Sequence, residues 1–187
     1  MNTLTAAQNR LEERLNEKTD ISKNTIVKGI SDKVYTGKAV TQTITVRYGS
    51  KTLKQGRDYT VQYKDNKNVG TAAAVLTGTG DYTGTVSRTF RIVPKKAVIS
   101  KAVPGKKQVR VIMSAKAAST GGSAYQIFYR VKGKGKWQSA TAKGKAKTIR
   151  KLKKGKKYQI KVRAYRSVGG TEYYGAWSMV KTTGKIK

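Results

Sequence analysis

The sequence predicts an all-β fold of two tandem β-sandwiches that follow a short N-terminal α-helix. After Asn24, apolar and polar residues alternate in short runs, and Gly, Asn and Asp bound these runs. Short alternating runs with turn residues at regular spacing are typical of antiparallel sandwiches. The length of 187 residues suits one or two domains of about 100 residues each.

Charge divides the chain into three segments. The whole sequence has 41 Lys and Arg against 9 Asp and Glu, a net charge of +32. Residues 1–25 have 4 basic and 4 acidic side chains, residues 26–96 have 13 and 4, and residues 97–187 have 24 and 1. We therefore predict a helical segment or linker over 1–25, a first sandwich over 26–96 and a second over 97–187. Pro94 marks the junction, because proline cannot continue a central strand.

The N-terminal segment has the pattern of a short amphipathic helix. Thr5 and Gln8 stand at the spacing of a capping box. One apolar stripe comprises Leu4, Ala7, Leu11 and Leu15. A helix this short is marginal in water, so it would dock elsewhere, pair with another helix or fray. We interpret the segment as a linker or a severed end.

Strand patterns fill the rest of the chain. In the first half, alternating or β-branched runs cover 59–63, 71–76 and 86–93, with turn residues at 64–70 and 78–81. In the second half, one face of a strand comprises Tyr125, Ile127, Tyr129 and Val131, and one face of another comprises Tyr158, Ile160, Val162 and Ala164. Gly169 and Gly170 stand between two further runs at the spacing of a two-residue hairpin turn.

Residues 26–94 resemble a bacterial immunoglobulin-like repeat. The resemblance lies in the segments Val34–Lys38, Leu53–Tyr63, Asn66–Ala72, Thr77–Thr85 and Phe90–Ile92. Residues 97–183 resemble a fibronectin type III domain through Leu152–Tyr158, Val162–Tyr165 and Gly175–Ser178. In that family Tyr158 would form the tyrosine corner. Met113 stands where a Trp is usual, and we expect it to fill the core in its place.

These resemblances imply a modular protein of the Gram-positive surface or secretome, in which such domains act as spacers, stalks or adhesive modules. They cover about four fifths of the chain. We therefore expect an extracellular or cell-wall location and a monomer within a larger multidomain chain. The sequence has no N-terminal export signal, so we interpret it as a fragment. No apolar run is long enough to span a membrane.

Composition argues against an enzyme. There is no His and no Cys, which excludes Ser-His-Asp and Cys-His nucleophiles and most metal centres. No Gly-Lys pair is followed by Ser or Thr, which excludes a P-loop. Asp65, Asn66 and Asn68 weakly resemble a calcium loop, but Lys64 and Lys67 favour a plain turn. We predict no cofactor and no catalytic residues.

The strongest functional signal is a cationic surface on the second sandwich. We predict a polyanion-binding site formed by Lys132, Lys134, Lys136, Lys143, Lys145, Lys147, Arg150, Lys151, Lys153, Lys154, Lys156 and Lys157. The partner would be an anionic cell-wall polymer such as teichoic acid, an acidic polysaccharide or, without sequence specificity, nucleic acid. Lysine exceeds arginine, which favours diffuse attraction over bidentate recognition. The alternative is that these charges only solvate the surface.

Two further hypotheses remain open. The chain could be a non-specific nucleic-acid-binding protein, although no nucleic-acid-binding motif is present. It could also be a flagellin-related filament component, because residues 7–12 are similar to the C-terminal helix of flagellins.

Most tyrosines fall on core faces, which leaves four aromatic residues as exposed stacking groups: Trp137, Tyr165, Tyr173 and Trp177.

Overall fold

The computed structural model of the chain describes residues 8–11, 13 and 17–187. Residues 8–11 and 13 are helical, and Leu11 is exposed. The other members of the predicted apolar stripe and the capping residue Thr5 lie outside the described residues. No helix among the described residues is both long and apolar enough to cross a membrane.

Strands make up most of the described chain, and the all-β prediction is confirmed. In chain order they are β1 (Thr19–Asp20), β2 (Thr25–Lys28), β3 (Lys33–Val34), β4 (Thr45–Tyr48), β5 (Lys51–Leu53), β6 (Tyr59–Lys64), β7 (Gly70–Gly78), β8 (Tyr82–Thr83), β9 (Thr85–Val93), β10 (Ile99–Gly105), β11 (Gln108–Met113), β12 (Ala124–Val131), β13 (Gln138–Ala142), β14 (Ala146–Arg150), β15 (Tyr158–Val168), β16 (Thr171–Tyr174) and β17 (Lys181–Thr182). A 3-10 helix covers Ala117–Thr120.

The first sandwich contains strands β1 to β9. One sheet has the order β2-β4-β5, the other has the order β3-β9-β7-β6, and β1 pairs with β8. Alternation along β7 turns Ala74 and Leu76 inward, where Val46 and Tyr59 also pack. The predicted turn over 64–70 is confirmed: β6 and β7 form an antiparallel hairpin around it, with Tyr63 opposite Ala74.

The helix predicted over 1–25 does not extend to the end of that segment. Thr19 and Asp20 form a short parallel pair with Tyr82 and Thr83. Ile21 has no exposed surface and belongs to the core of the first sandwich. Burial of a large apolar side chain stabilises the folded state by about 2 kcal/mol, and this gain outweighs the weak helical preference of such a short segment.

The second sandwich contains strands β10 to β17. One sheet has the order β10-β11-β14, and the other has the order β13-β12-β15-β16 with β17 also on β15. The inward faces predicted for β12 and β15 are confirmed: Tyr125 and Ile127 are buried, as are Ile160 and Val162. Met113 is fully buried in the same core, as predicted.

Two local predictions for the second sandwich are also confirmed. Val168 pairs with Thr171, so Gly169 and Gly170 form a two-residue turn, and both have positive φ, 55° and 78°. Such φ values at both positions match a type I′ turn. The hydroxyl of Tyr158 accepts a hydrogen bond from the backbone N–H of Lys153 at 3.0 Å, which is the tyrosine corner.

The chain divides into two compact units. Within the described residues the first takes in those up to Ser31 and then Thr41–Asn66 and Ala72–Phe90. The second contains Asp32–Val40, Lys67–Thr71 and Arg91–Lys187. The predicted domain boundaries at 25/26 and 96/97 remain predictions.

Candidate functional site: a lysine cleft on the second sandwich

The site forms where two loops meet at one end of a sheet. Strand β12 ends at Val131 and β15 begins at Tyr158, and these two residues pair directly. The loop that leaves β12 and the loop that enters β15 are therefore neighbours, although more than twenty residues separate them in sequence. The N–H of Lys132 donates to the carbonyl of Lys157 at 2.8 Å and joins the two loops.

Glycines shape the first loop. The N–H of Lys134 donates to the carbonyl of Val131 at 3.1 Å, which closes a tight turn. Gly133 and Gly135 have φ of 72° and 77°, a region that glycine enters without steric cost. Lys132, Lys134 and Lys136 lie before, between and after these two glycines, and all three side chains are exposed to solvent.

Hydrogen bonds to its backbone hold the second loop, which leads into β15. The Tyr158 hydroxyl accepts from the N–H of Lys153, and the N–H of Gly155 donates to the carbonyl of Ile186 at 2.8 Å. Ile186 is buried and returns a bond from its own N–H to the carbonyl of Lys156. The backbone is thus held at both ends while the lysine side chains of the loop remain exposed.

Together the loops enclose a cleft of about 610 Å³, which we call the lysine cleft. Six of the predicted polyanion-binding residues line it: Lys132, Lys134, Lys136, Lys153, Lys156 and Lys157. No Asp or Glu stands among the described residues that line the cleft. Ammonium groups around a concave surface raise the positive potential inside it, because their fields add and carboxylates do not cancel them.

The other six predicted residues are not among those that line the cleft. They are Lys143, Lys145, Lys147, Arg150, Lys151 and Lys154. All six are exposed. Lys147 and Arg150 lie on β14 in the other sheet, and Arg150 donates to the side-chain oxygen of Gln108 at 2.7 Å. The twelve predicted residues therefore divide into six that line the cleft and six exposed residues outside its lining, and polyanion binding stays a prediction for both groups.

An arginine that the sequence pattern did not single out lies in the wall of the cleft. Arg130 lines it and lies on the outward face of β12, opposite the alternating core residues of that strand. Its guanidinium lies over the ring of Trp137, 4.5 Å from the ring centroid. Its Nε donates to Oε1 of Gln159 at 3.0 Å. The alternation of β12 could have placed Arg130 outward, but not its two partners.

Further contacts between cations and aromatic rings lie on the same face of the sheet. Lys161 Nζ lies 4.9 Å from the centroid of Trp137 and 4.5 Å from that of Trp177. The guanidinium of Arg163 lies 4.5 Å from Trp177 and 3.6 Å from Tyr174. We call this alternating row the cation–ring row; it consists of Arg130, Trp137, Lys161, Trp177, Arg163 and Tyr174.

Backbone contacts hold Trp177 in the row. The N–H of Gly175 donates to Ala164, and the N–H of Ser178 donates to Val162 at 2.7 Å. The Ser178 hydroxyl accepts the N–H of Val162 in turn, at 3.0 Å. A Cβ on Gly175 would lie 2.6 Å from the carbonyl oxygen of Pro94, so only glycine permits this close approach.

One predicted stacking residue is not exposed. Tyr173 is buried, with 6% of its surface accessible, and its hydroxyl shares a 2.6 Å hydrogen bond with that of Thr71 in the same compact unit. The exposed-stacker prediction for Tyr173 is therefore wrong. Trp137, Tyr165 and Trp177 are partly buried, and Trp137 and Trp177 contact cations of the row.

The side chain of Asp58 in the first sandwich makes structural contacts. Asp58 pairs with the Arg57 guanidinium at 2.7 Å and accepts the N–H of Lys54 at 2.8 Å. These contacts lower the pKa of Asp58 to about 2. Asp65 has a φ of 54°, as expected for a turn, and no three acidic, His or Cys side chains cluster among the described residues.

Comparison with known proteins does not assign the chain to a family. A scan of protein-family models finds no match, and a search of curated proteins finds none either. Among solved structures, the chain is similar to domains A168-A170 from titin, with 13% identity and a TM-score of 0.40. The likeness covers 87% of this chain and 66% of that one, so this chain spans slightly less than two thirds of that length.

Proposed function

We propose that this chain is a non-catalytic spacer and adhesive module of a bacterial cell-surface or secreted protein. In this proposal the chain attaches to an anionic polymer of the cell wall through the lysine cleft. It acts outside the cell, as one monomeric part of a larger multidomain chain. The bacterial context comes from the resemblance of residues 26–94 to immunoglobulin-like repeats.

One observation carries the binding proposal. Six exposed lysines and Arg130 meet in a cleft of about 610 Å³ that no described carboxylate lines. Residues 97–187 include 24 basic side chains and a single acidic one, Glu172. A flexible polyanion that enters such a cleft replaces the repulsion between lysines with attraction and releases its own counterions.

The first test measures binding of the purified chain to Gram-positive cell walls with and without wall teichoic acid. Random duplex DNA serves as the competing polyanion, and salt is varied from low to physiological strength. We expect retention at physiological salt that depends on teichoic acid. Loss of all binding as salt rises would contradict the proposal, because it would mean that the lysines only solvate the surface.

The sequence offers a matched control for the cleft. The cleft variant replaces three lining lysines with Gln, at Lys132, Lys134 and Lys136. The control variant makes the same change in charge outside the lining, at Lys143, Lys145 and Lys147. We expect the cleft variant to lose affinity by about tenfold and the control by about twofold at most.

Equal losses in the two variants would contradict the cleft as the site and indicate diffuse attraction by the whole surface. Equal affinity for DNA and for teichoic acid would favour the nucleic-acid alternative. Circular dichroism checks that both variants remain folded, which we expect because all six side chains are exposed.

A further inference from the structure

Arg130 differs from the lysines around it, because its side chain is fixed. Its guanidinium lies over Trp137, and its Nε donates to Oε1 of Gln159. The same oxygen accepts the N–H of Gly133 at 3.4 Å, so Gln159 ties the arginine to the first loop of the cleft. This contact uses one of the five N–H donors of a guanidinium.

Arginine and lysine bind oxoanions differently. A lysine ammonium is a mobile point charge, whereas a guanidinium offers a planar fork that donates two parallel hydrogen bonds to one phosphate or carboxylate. A guanidinium that a ring and an amide already hold loses less entropy when it binds. Among the described cations that line the cleft, Arg130 is therefore the one whose side chain is held in place for a bidentate contact with an oxoanion.

The rings beside the cleft hold cations of this chain. Arg130 and Lys161 both lie over Trp137, and Lys161 and Arg163 both lie over Trp177. Proteins that bind single-stranded nucleic acid stack bases on aromatic rings, and here the protein's own side chains engage those rings. This arrangement favours a ligand recognised through its charged groups alone.

We propose that Arg130 is the specificity-determining residue of the lysine cleft and that the ligand is a polyol phosphodiester polymer. The lysines gather the polymer by charge, and the Arg130 fork binds one phosphodiester group in a defined geometry. A polymer of this class has neither bases nor sugar faces that need a free ring. This inference rests on the function proposed above.

The test replaces Arg130 with Lys, which keeps the charge and removes the fork. Three probes are compared across a salt series: poly(glycerol phosphate), polygalacturonate and oligothymidylate. We expect Arg130→Lys to weaken poly(glycerol phosphate) binding by about tenfold while the slope of affinity against salt stays the same. Wild-type affinity should be highest for poly(glycerol phosphate) and lower for the polycarboxylate and the single-stranded DNA.

A lysine of the same cleft provides the control. Lys134→Gln removes one charge and no ring contact, so it should lower the salt slope by about one and weaken all three polymers alike. Trp137→Leu removes the support of Arg130 and should weaken binding about as much as Arg130→Lys. The double variant should lose little more, because both changes remove one anchored contact.

The outcomes separate the two proposals. If the wild-type chain binds none of the polymers at physiological salt, the proposed function fails. If the wild type binds poly(glycerol phosphate) and Arg130→Lys binds it equally well, the proposed function stands and this inference is overturned. Tighter binding of oligothymidylate than of poly(glycerol phosphate) would overturn the ligand assignment.

Discussion

The two sandwiches differ in how many of their cations contact carboxylates and how many contact aromatic rings. In the first, guanidinium groups pair with carboxylates: Arg57 with Asp58 at 2.7 Å and Arg91 with Asp32 at 2.8 Å. In the second, several cations lie over aromatic rings, as Lys161 does over Trp177, whereas the described residues of the first show one such contact, Lys51 over Tyr82 at 5.2 Å. Among residues 17–187 these two ion pairs are the only ones, and both join residues of the segment from β2 to β9.

This difference has a consequence for surface potential. A carboxylate cancels the charge that it stabilises, whereas a ring attracts a cation through its quadrupole and leaves the net charge unchanged. Residues 26–96 have a net charge of +9 and residues 97–187 a net charge of +23. Ring contacts therefore let the second sandwich hold cations close together while their charge remains available to an anionic ligand.

Removing the central ring of the cation–ring row, Trp177, should cause the largest loss of stability among these predictions. Trp177→Ala removes contacts with Lys161 and Arg163 and the ring contact with Phe128 at 4.9 Å. We expect the second sandwich to lose about 2 kcal/mol of unfolding free energy. Urea denaturation followed by the fluorescence of Trp137 measures it, because Trp137 also lies in the second sandwich.

Trp177→Phe is the matched control, because it keeps a ring of smaller area and should cost about 1 kcal/mol. Added salt should reduce the effect of Trp177→Ala, since it screens repulsion between the cations that the ring separates. A variant as stable as the wild type at low salt would mean that the row contributes nothing to stability.

Acid should weaken the first sandwich before the second. The side chain of Arg57 and the N–H of Lys54 lower the pKa of Asp58 to about 2, and the N–H of Arg91 lowers the pKa of Asp32. A carboxyl whose pKa is lower in the folded state stabilises the fold above its unfolded pKa, here 3.8. That contribution is lost as pH falls from about 4 to about 2.

Circular dichroism reports both sandwiches during acid titration, while tryptophan fluorescence reports the second alone, because both Trp137 and Trp177 lie there. We expect the dichroism signal to change at a higher pH than the fluorescence. Asp58→Asn should make the first sandwich less stable at neutral pH and reduce its dependence on pH. Simultaneous loss of the two signals in the wild type would contradict this comparison.

The sequence predicted inward and outward faces well and predicted contacts between distant residues poorly. Alternation in β12 and β15 placed Tyr125 and Ile160 in the core, because a strand turns alternate side chains to the same face. The tyrosine corner was predicted through the resemblance of residues 152–158 to fibronectin type III domains, and its hydrogen bond joins residues only five positions apart.

The candidate site was predictable only as an exposed cationic surface. Which lysines meet depends on the pairing of Val131 with Tyr158, and no local pattern encodes that register. The contact of Arg130 with Trp137 depends in the same way on where the β12–β13 hairpin turns. Tyr173 was misplaced for a similar reason: its partner Thr71 is 102 residues away in sequence.

The smallest expected effects concern one tyrosine hydroxyl in each sandwich. In the first, the Tyr63 hydroxyl accepts the N–H of Gln42 and donates to its carbonyl, both at 2.9 Å. In the second, the Tyr158 hydroxyl accepts the N–H of Lys153. Tyr→Phe should cost about 1 kcal/mol at each position, and more at Tyr63, because it leaves two backbone groups without a partner there.

Polymer binding distinguishes a structural tyrosine from a ligand contact. Tyr158 lines the lysine cleft, but its hydroxyl is engaged with the backbone of Lys153. Tyr158→Phe should therefore lower the urea midpoint of the second sandwich and leave affinity for poly(glycerol phosphate) within about twofold of wild type. A larger loss of affinity at unchanged stability would show that the hydroxyl contacts the polymer, and the cleft would then combine a neutral donor with its cations.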